Sequence, residues 1–209
     1  MQINKKAKFI VIEGLEGAGK STAIKFIRNY FAVKKISAIY TREPGGTFLG
    51  EKMRKLLITP FKEESLCPES ELLLMYATRM QHVDKLIKPA LKSGKWVVSD
   101  RFNWSSLAYQ GGGRLLGFNK VKQLNDLLLQ SFSPDLTIYL DIDPEIGLAR
   151  AKSRNKLDRI EQEQIDFFTR ARDIFLSLVA ENMTTSTIVN GNQLIYQVEE
   201  SLAQILSRY

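Results

Sequence analysis

The sequence has very little cysteine and no long hydrophobic run. Cys67 is the only cysteine in 209 residues, so no disulfide can form within the chain. The longest apolar runs, such as residues 9–12 (FIVI) and 72–76 (LLLMY), are far shorter than the roughly 20 residues needed to cross a bilayer. Glu13 also interrupts the apolar start before a signal-peptide core is complete. We therefore expect a cytoplasmic protein with no membrane partner.

The sequence also lacks a run of basic residues interleaved with aromatic ones. Its 30 Lys and Arg residues outnumber 23 Asp and Glu residues, which gives a formal charge of +7. A positive charge favours anionic partners, but it does not distinguish nucleic acid from nucleotides. We expect no nucleic-acid partner. A basic nucleic-acid binder remains an alternative, and it predicts a DNA affinity that falls steeply with salt.

No internal repeat, low-complexity segment or flexible linker divides the chain, so we expect one domain over residues 1–209. Short runs of β-favouring residues alternate with helical periodicity, which predicts an α/β fold with a parallel sheet flanked by helices. Ligands in such folds bind beyond the C-terminal ends of the strands. The predicted strands are Lys8–Glu13, Ser37–Thr41, Lys95–Ser99, Asp135–Asp141 and Ser186–Asn190. The predicted helices begin near Gly19, Gly50, Pro68, Asn119, Pro144, Glu161 and Gln193.

A phosphate-binding motif follows the first predicted strand. Residues 14–21 read GLEGAGKS and fit G-x-x-x-x-G-K-[ST] between a strand and a helix. The glycines let successive backbone N–H groups point into one concavity, where the helix N-terminus adds partial positive charge. Lys20 is expected to reach the β- and γ-phosphates, and Ser21 to coordinate Mg²⁺. The predicted nucleotide-binding residues are Gly14, Leu15, Glu16, Gly17, Ala18, Gly19, Lys20, Ser21 and Thr22.

Glu16 is an unexpected residue in this motif. A carboxylate inside a phosphate cradle would repel the nucleotide unless it points elsewhere, for example toward a sugar hydroxyl. From the motif alone, a solvated loop acid is the simpler interpretation.

Charged residues also follow the third predicted strand, in WVVSDRF at residues 96–102. Asp100 is suited to hold Mg²⁺, directly or through water, and Arg101 can bind a phosphate with two hydrogen bonds. A local salt bridge between the two residues is the alternative interpretation.

Two further stretches present ligand-binding groups near the second strand. TREPGGT at residues 41–47 contains a Pro-Gly-Gly turn that lets a ligand approach the backbone, and Arg54 lies on the helix after it. LLLMYATR at residues 72–79 places Met75 and Arg79 on one helix face.

Hydroxyl, phenol and amide groups follow the third strand, in SSLAYQGGGR at residues 105–114. ARAKSRNKLDRIE at residues 149–161 is rich in basic residues, for which a solvated helix face is the simpler interpretation. The only histidine, His82, has no cluster of possible metal ligands around it in sequence, so we expect it on a helix surface.

Taken together, these stretches resemble the bacterial thymidylate kinases, which phosphorylate dTMP to dTDP with ATP. The resemblance runs from IEGLEGAGKST through TREPGGT, DRF, SSLAYQGGGR and PDLTIYLD to LDRIEQE. Many families share a P-loop, but the combination of TREPGG, SSLAYQGGGR and LDRIE is far more specific. It implies a P-loop nucleoside monophosphate kinase with a five-stranded parallel sheet, a small lid at about residues 150–159, Mg²⁺ as cofactor and a homodimer.

The resemblance also implies roles for individual residues. Lys20 and Ser21 would serve ATP and Mg²⁺, with Asp100 close to the metal. Glu16 would accept the sugar 3′-OH, so that its charge faces the acceptor instead of the donor. The implied dTMP-binding residues are Glu16, Pro44, Arg54, Met75, Arg79, Arg101, Ser106, Tyr109 and Gln110.

Within that set, the roles divide by chemistry. Arg54 and Arg101 would hold the dTMP phosphate, and Tyr109 would lie where a 2′-OH would sit. The thymine edge would be read by Arg79, Ser106 and Gln110.

The resemblance further implies where the catalytic positive charge originates. One subclass of the family carries a catalytic Arg in the P-loop, but the chain has Gly17 there. The implied source is therefore the lid, mainly Arg154 with Arg150 and Lys152 assisting. Together with the residues at the phosphates, the implied catalytic set is Lys20, Arg101, Arg150, Lys152 and Arg154.

Two positions depart from the family pattern. Met75 stands where a Phe usually stacks on thymine, and Phe102 stands where Tyr or His is common. Methionine can cover a base face but forgoes ring stacking, so this departure concerns the strength of base binding and not the identity of the base. The alternatives are a kinase for another monophosphate or a non-nucleotide acceptor, and an NTP-dependent switch that acts on a partner protein.

Overall fold

The five predicted strands are confirmed, each within one residue at either end. A computed structural model describes residues 7–61, 63–153 and 157–209. The strands form one parallel sheet in the order β2-β3-β1-β4-β5. Their bounds are Phe9–Gly14 (β1), Ala38–Arg42 (β2), Trp96–Asp100 (β3), Leu136–Asp141 (β4) and Ser186–Asn190 (β5).

Helices connect these strands, as expected for a parallel sheet. Two stretches are π-helical: π1 continues α3, and π2 continues α5. The α-helices are Lys20–Val33 (α1), Phe48–Ile58 (α2), Pro68–His82 (α3), Lys88–Lys92 (α4), Asn103–Ser106 (α5), Phe118–Leu129 (α6), Pro144–Lys152 (α7), Ile165–Glu181 (α8) and Ile195–Leu206 (α9). The π-helices are Val83–Ile87 (π1) and Leu107–Gly113 (π2).

Most helix starts lie within two residues of the sequence prediction, but two features differ. We expected a helix near Glu161, whereas α8 begins at Ile165. The Asp158 side chain accepts the N–H groups of Ile160 and Glu161, both at 2.9 Å, and this turn delays the helix. The helical segment α5–π2 was not predicted, because its three consecutive glycines have low helix propensity. It forms against α8, which packs along it.

Alternating residues of β1 point to opposite faces of the sheet, and both faces are covered. Phe9 and Val11 join one buried cluster with Val83 of π1, while Ile10 and Ile12 join the other. Near-continuous apolar strands are therefore explained by burial on both sides.

The parallel register brings the C-terminal ends of β1, β2 and β3 together at one edge of the sheet. Ile12 pairs with Asp100, and Arg42 pairs with Asp100 on the other side. The P-loop, the Asp-Arg pair and the Pro-Gly-Gly turn all follow directly from these strand ends. Along the described ranges of the chain, no helix combines the length and apolar character that a membrane span requires.

Candidate active site

A cleft of about 790 Å³ lies over this edge of the sheet. Its volume is in the range of small-molecule sites. Almost all of the sequence-predicted site residues line it. These are Glu16, Gly17, Ala18, Gly19, Lys20, Ser21, Thr22, Pro44, Arg54, Met75, Arg79, Asp100, Arg101, Ser106, Tyr109, Gln110 and Arg150.

Three of the predicted site residues that the structure describes do not line the cleft. Gly14 and Leu15 contribute backbone carbonyls that accept from Lys20 Nζ at 3.0 and 2.8 Å. Lys152 is exposed at the end of α7. It is absent from the cleft lining that the described residues form. Arg154 lies outside the described residues.

The P-loop is packed tightly against the start of α7. Gly17 has a left-handed backbone (φ 73°), and a Cβ on it would lie 2.1 Å from the carbonyl oxygen of Gly147. Any side chain at this position would therefore collide with backbone. The position where one subclass of kinases carries an arginine has no room for one here.

Lys20 begins α1 and lies between charges of both signs. Burial, followed by the positive charge of Arg101, lowers the pKa of Lys20 to about 8, although nearby carboxylates oppose the shift. Its ammonium donates to two P-loop carbonyls. A phosphate group bound in the loop would stabilise the charged form of the lysine.

Asp100 carries a buried oxygen that suits a metal ion. Its Oδ1 is buried and finds no hydrogen-bond partner among the described residues, an arrangement that costs free energy unless a ligand binds there. Ser21 lines the same cleft. Within the described ranges, no group of three or more His, Cys, Asp or Glu residues forms a metal site. One carboxylate and one hydroxyl fit Mg²⁺, which typically uses few protein ligands together with phosphate oxygens and water.

Arg101 is held in a fixed orientation by its backbone and its side chain. Its backbone is left-handed (φ 69°), and its N–H donates to the Ile12 carbonyl at 2.9 Å. Its guanidinium donates to the Gly14 carbonyl at 2.8 Å and lies 4.9 Å from the centre of the Tyr109 ring. A non-glycine residue in this conformation is strained by on the order of 1 kcal/mol or more, as is common at functional sites.

Glu16 points toward Arg101 and away from the phosphate cradle. Its Oε1 accepts from Arg101 Nη2 at 2.5 Å, and its Oε2 accepts from Tyr109 Oη at 2.8 Å. Burial raises the pKa of Glu16, but Arg101 and Lys20 outweigh it, so the net pKa is lowered. The carboxylate is therefore ionised, and it is not the solvated loop acid that the motif alone suggested.

Glu13 is a buried carboxylate that sequence reasoning did not assign to the site. Its side chain accepts from the Phe102 N–H at 2.9 Å and from the Ser105 hydroxyl at 2.6 Å, and thereby holds the turn that contains Arg101. Burial raises the pKa of Glu13 to about 7, against the charge of Arg101. In the sequence, the only indication of a role in the site was that Glu13 is an acidic residue at the end of an apolar strand.

The opposite end of the cleft holds the groups expected to read a base. The Arg79 guanidinium is buried, and it donates to Glu43 at 2.7 Å, Ser106 Oγ at 3.0 Å and the Phe102 carbonyl at 3.0 Å. The Met75 side chain lines the cleft beside it. Arg54 donates to the Pro44 carbonyl at 2.8 Å across the Pro-Gly-Gly turn, whose Glu43–Pro44 bond is cis.

The expectation that His82 lies on a helix surface is wrong. His82 is fully buried, and its ring nitrogens contact Glu43 Oε1 at 2.9 Å and Thr41 Oγ1 at 2.7 Å. A Cβ on Gly46 would lie 2.5 Å from the His82 ring, so the turn packs directly on the histidine. The helical period of α3 did not reveal this, because its partners come from β2 and the turn that follows.

A third part of the cleft lies beside the P-loop and the start of α9. Arg150 Nη1 donates to the Gly191 carbonyl at 3.0 Å, and Gln193, Leu194 and Ile195 continue the wall. Leu194 and Ile195 are each 63% exposed, which leaves an apolar surface next to the phosphate site. Gln193, Leu194 and Ile195 belong to no recognisable motif, so they were not predicted as site residues from the sequence.

A parallel α/β sheet whose cleft combines a phosphate-binding loop with a separate set of arginine, hydroxyl and amide groups is typical of a P-loop kinase. A family model described as thymidylate kinase matches residues 12–202. The chain belongs to the thymidylate kinase family.

Similar proteins span nearly the whole chain. A thymidylate kinase of Francisella philomiragia is 53% identical over 203 residues, covering 97% of this chain and 99% of that protein. One from Legionella pneumophila (strain Paris) is 48% identical, covering 97% and 95%. One from Francisella tularensis subsp. novicida is 48% identical, covering 98% and 97%. The kinase prediction from sequence is confirmed.

The lowered pKa of Lys20 predicts that ATP binding depends on pH. Bound phosphate favours the charged lysine, so binding above pH 8 requires proton uptake, and ATP affinity should fall by up to about tenfold per pH unit there. Calorimetry of a non-hydrolysable ATP analogue at about pH 7.5 and about pH 9.5 measures this. The variant Lys20→Arg stays charged and should lose the dependence. Equal affinity of the unmodified chain at both pH values would contradict the assignment.

Proposed function

We propose that this chain transfers the γ-phosphoryl group of MgATP to dTMP, giving dTDP for the synthesis of dTTP. One observation carries the proposal: a single cleft contains a phosphate-binding loop and, facing it, a separate set of arginine, hydroxyl and amide groups. A nucleotide hydrolase needs only the first set. Membership of the family supplies the expected acceptor.

The donor nucleotide would bind the P-loop, residues 14–22. Lys20 would contact the β- and γ-phosphates, and Ser21 with Asp100 would hold Mg²⁺ directly or through water. When bound, the ion neutralises phosphate charge. The unpartnered Asp100 oxygen supports this arrangement.

The acceptor phosphate would bind Arg101 and Arg54. Hydrogen bonds to Glu16, the Gly14 carbonyl and Ser105 Oγ use three of the five N–H groups of the Arg101 guanidinium, and the others are left for a phosphate. Because the Arg101 backbone is already fixed, little entropy would be lost when the phosphate is aligned.

The sugar would lie over Glu16 and Tyr109. A carboxylate has about four acceptor positions, and the bonds from Arg101 and Tyr109 leave capacity for the 3′-OH. The Tyr109 ring would occupy the space beside C2′, where a 2′-OH would lose water contacts without gaining a partner. This arrangement favours deoxyribose over ribose.

The base would be held by the residues at the buried end of the cleft. Arg79, Ser106 and Gln110 would read its polar edge, while Met75 and Pro44 would cover its faces. Arg79 is already fixed by three hydrogen bonds, so the site is preorganised for a planar ligand.

Catalysis would rest on alignment and charge neutralisation, because phosphoryl transfer has a loose transition state. The acceptor phosphate is largely dianionic, with its second pKa near ~6, so no general base is required. Arg154, with Arg150 and Lys152, would bring positive charge to the transferring group from a lid at about residues 150–159. The absence of space at Gly17 supports this subclass, because a P-loop arginine does not fit there.

We further propose a single-domain cytoplasmic enzyme that forms a homodimer through a helical face. The exposed leucines Leu73 of α3 and Leu127 of α6, on two helices that pack together, support a helical interface. No nucleic-acid or membrane partner is proposed.

The proposed function predicts a strict order of acceptors. In a coupled assay of ADP release, dTMP should be turned over well above dUMP, and UMP and CMP should be poorer still, because a 2′-OH or a cytosine edge leaves buried polar groups unpaired. Equal turnover of CMP or shikimate would favour a kinase with another acceptor. ATP hydrolysis unaffected by dTMP would favour a switch protein.

The lid assignment predicts a large effect of Arg154→Ala. Arginine stabilisation of a transferring phosphoryl group is worth on the order of 10³–10⁵ in rate, so kcat should fall severely while KM for dTMP changes much less. Steady-state kinetics with saturating ATP measures both constants. Retention of kcat within about threefold, less than one kcal/mol, would exclude Arg154 from the role.

A further inference from the structure

Glu71, in the first turn of α3, is a buried carboxylate that has no part in the proposed reaction. We propose that Glu71 is a specificity-determining positioning residue, which orients the Gln110 amide so that its oxygen faces the pyrimidine and thymine is selected over cytosine. The inference rests on the proposed function, because it takes Gln110 to read the base.

Besides Gln110 of π2, two arginines donate hydrogen bonds to Glu71. Its side chain is only 1% exposed. Arg159, at the C-terminal end of the proposed lid, donates to Oε2 at 2.6 Å, and Arg114, directly after π2, donates to Oε2 at 3.2 Å. Two guanidinium groups therefore keep this buried carboxylate ionised. Burial raises the pKa of Glu71, but Arg114 and the hydrogen bonds outweigh it, and the net pKa is lowered.

An ionised carboxylate only accepts hydrogen bonds, and this fixes the amide of Gln110. The Gln110 Nε2 atom donates to Glu71 Oε1 at 2.6 Å. The reversed amide would bring its oxygen against the carboxylate and is excluded by repulsion. The oxygen Oε1 is consequently turned away from Glu71, and it accepts no hydrogen bond from the rest of the described chain. Gln110 lines the cleft, so this oxygen is the group available to a ligand.

The resulting pattern matches thymine and opposes cytosine. Thymine presents a donor at N3–H, which suits Oε1 of Gln110, and an acceptor at O4, which suits the remaining N–H groups of Arg79. Cytosine presents an acceptor at N3 and a donor at N4. It would place acceptor against acceptor and donor against donor, which leaves buried groups unpaired.

The test compares acceptors within one enzyme preparation. In Glu71→Gln the new amide can donate or accept, so Gln110 is free to reverse, and the ratio of kcat/KM for dTMP over dCMP should fall by at least about tenfold. The ratio for dTMP over dUMP should stay within about threefold, because uracil has the same N3–H and O4 groups. Each ratio is independent of the active fraction, so partial unfolding does not mimic the result.

Two further variants complete the design. Glu71→Asp keeps the negative charge for both arginines but withdraws the carboxylate from Gln110. It should therefore lower the dTMP-to-dCMP ratio as well, with a smaller loss of stability than Glu71→Gln. Glu163→Gln is the matched control: it makes the same change in a carboxylate that binds Arg114 and not Gln110, and should leave both ratios unchanged.

An unchanged dTMP-to-dCMP ratio in both Glu71 variants would overturn the inference. An equal loss for dTMP, dUMP and dCMP would do the same, since it would mark a purely structural role. If the unmodified chain fails to phosphorylate dTMP, the proposed function fails instead, and the two failures are distinguished before any variant is measured.

Discussion

The ion pair between Arg101 and Glu16 is the interaction on which the rest of the site depends. The pairing of β1 with β3 brings the P-loop and the Asp-Arg pair to the same edge of the sheet, which allows the two residues to meet. Arg101 draws the carboxylate out of the phosphate cradle, and Glu16 in turn fixes the guanidinium. Removing either partner would leave a buried charge without compensation. In the proposed function, the pair separates a donor side of the cleft from an acceptor side.

Three groups on the proposed acceptor side of the cleft are each supported by a buried glutamate. Glu13 holds the turn of Arg101, Glu43 with His82 holds Arg79, and Glu71 holds Gln110. Glu43 and Glu71 accept hydrogen bonds from the side chains of Arg79 and Gln110, whereas Glu13 accepts from the backbone N–H of Phe102. A carboxylate accepts several hydrogen bonds and donates none, so it fixes the direction of its partner's donors. The supporting carboxylates make the cleft a preorganised surface, and the ligand does not have to order it.

Local pattern was sufficient for much of this architecture. The strands were predicted to within one residue, because apolar β-favouring runs such as Phe9–Gly14 have few other interpretations. The P-loop followed from spacing and flanks alone. Resemblance to a family supplied the proposed acceptor-binding residues, and all nine of them line the cleft.

The supporting groups could not be predicted, since each depends on contacts between residues far apart in sequence. Glu71 bonds Gln110, 39 positions away, and Arg159, 88 positions away. Neither periodicity nor composition reports such pairs. The helix π2 was not predicted, because its three glycines oppose helix formation locally. Packing against α8 outweighs that preference.

In the proposed function, both nucleotides occupy the cleft at the same time. Calorimetric titration of dTMP into the chain, with and without a saturating non-hydrolysable ATP analogue, measures whether they do. One dTMP should bind per chain in both titrations, because the two ligands would occupy different sides of the Arg101–Glu16 pair. Loss of dTMP binding in the presence of the analogue, or no heat of binding for dTMP at millimolar concentration, would contradict it.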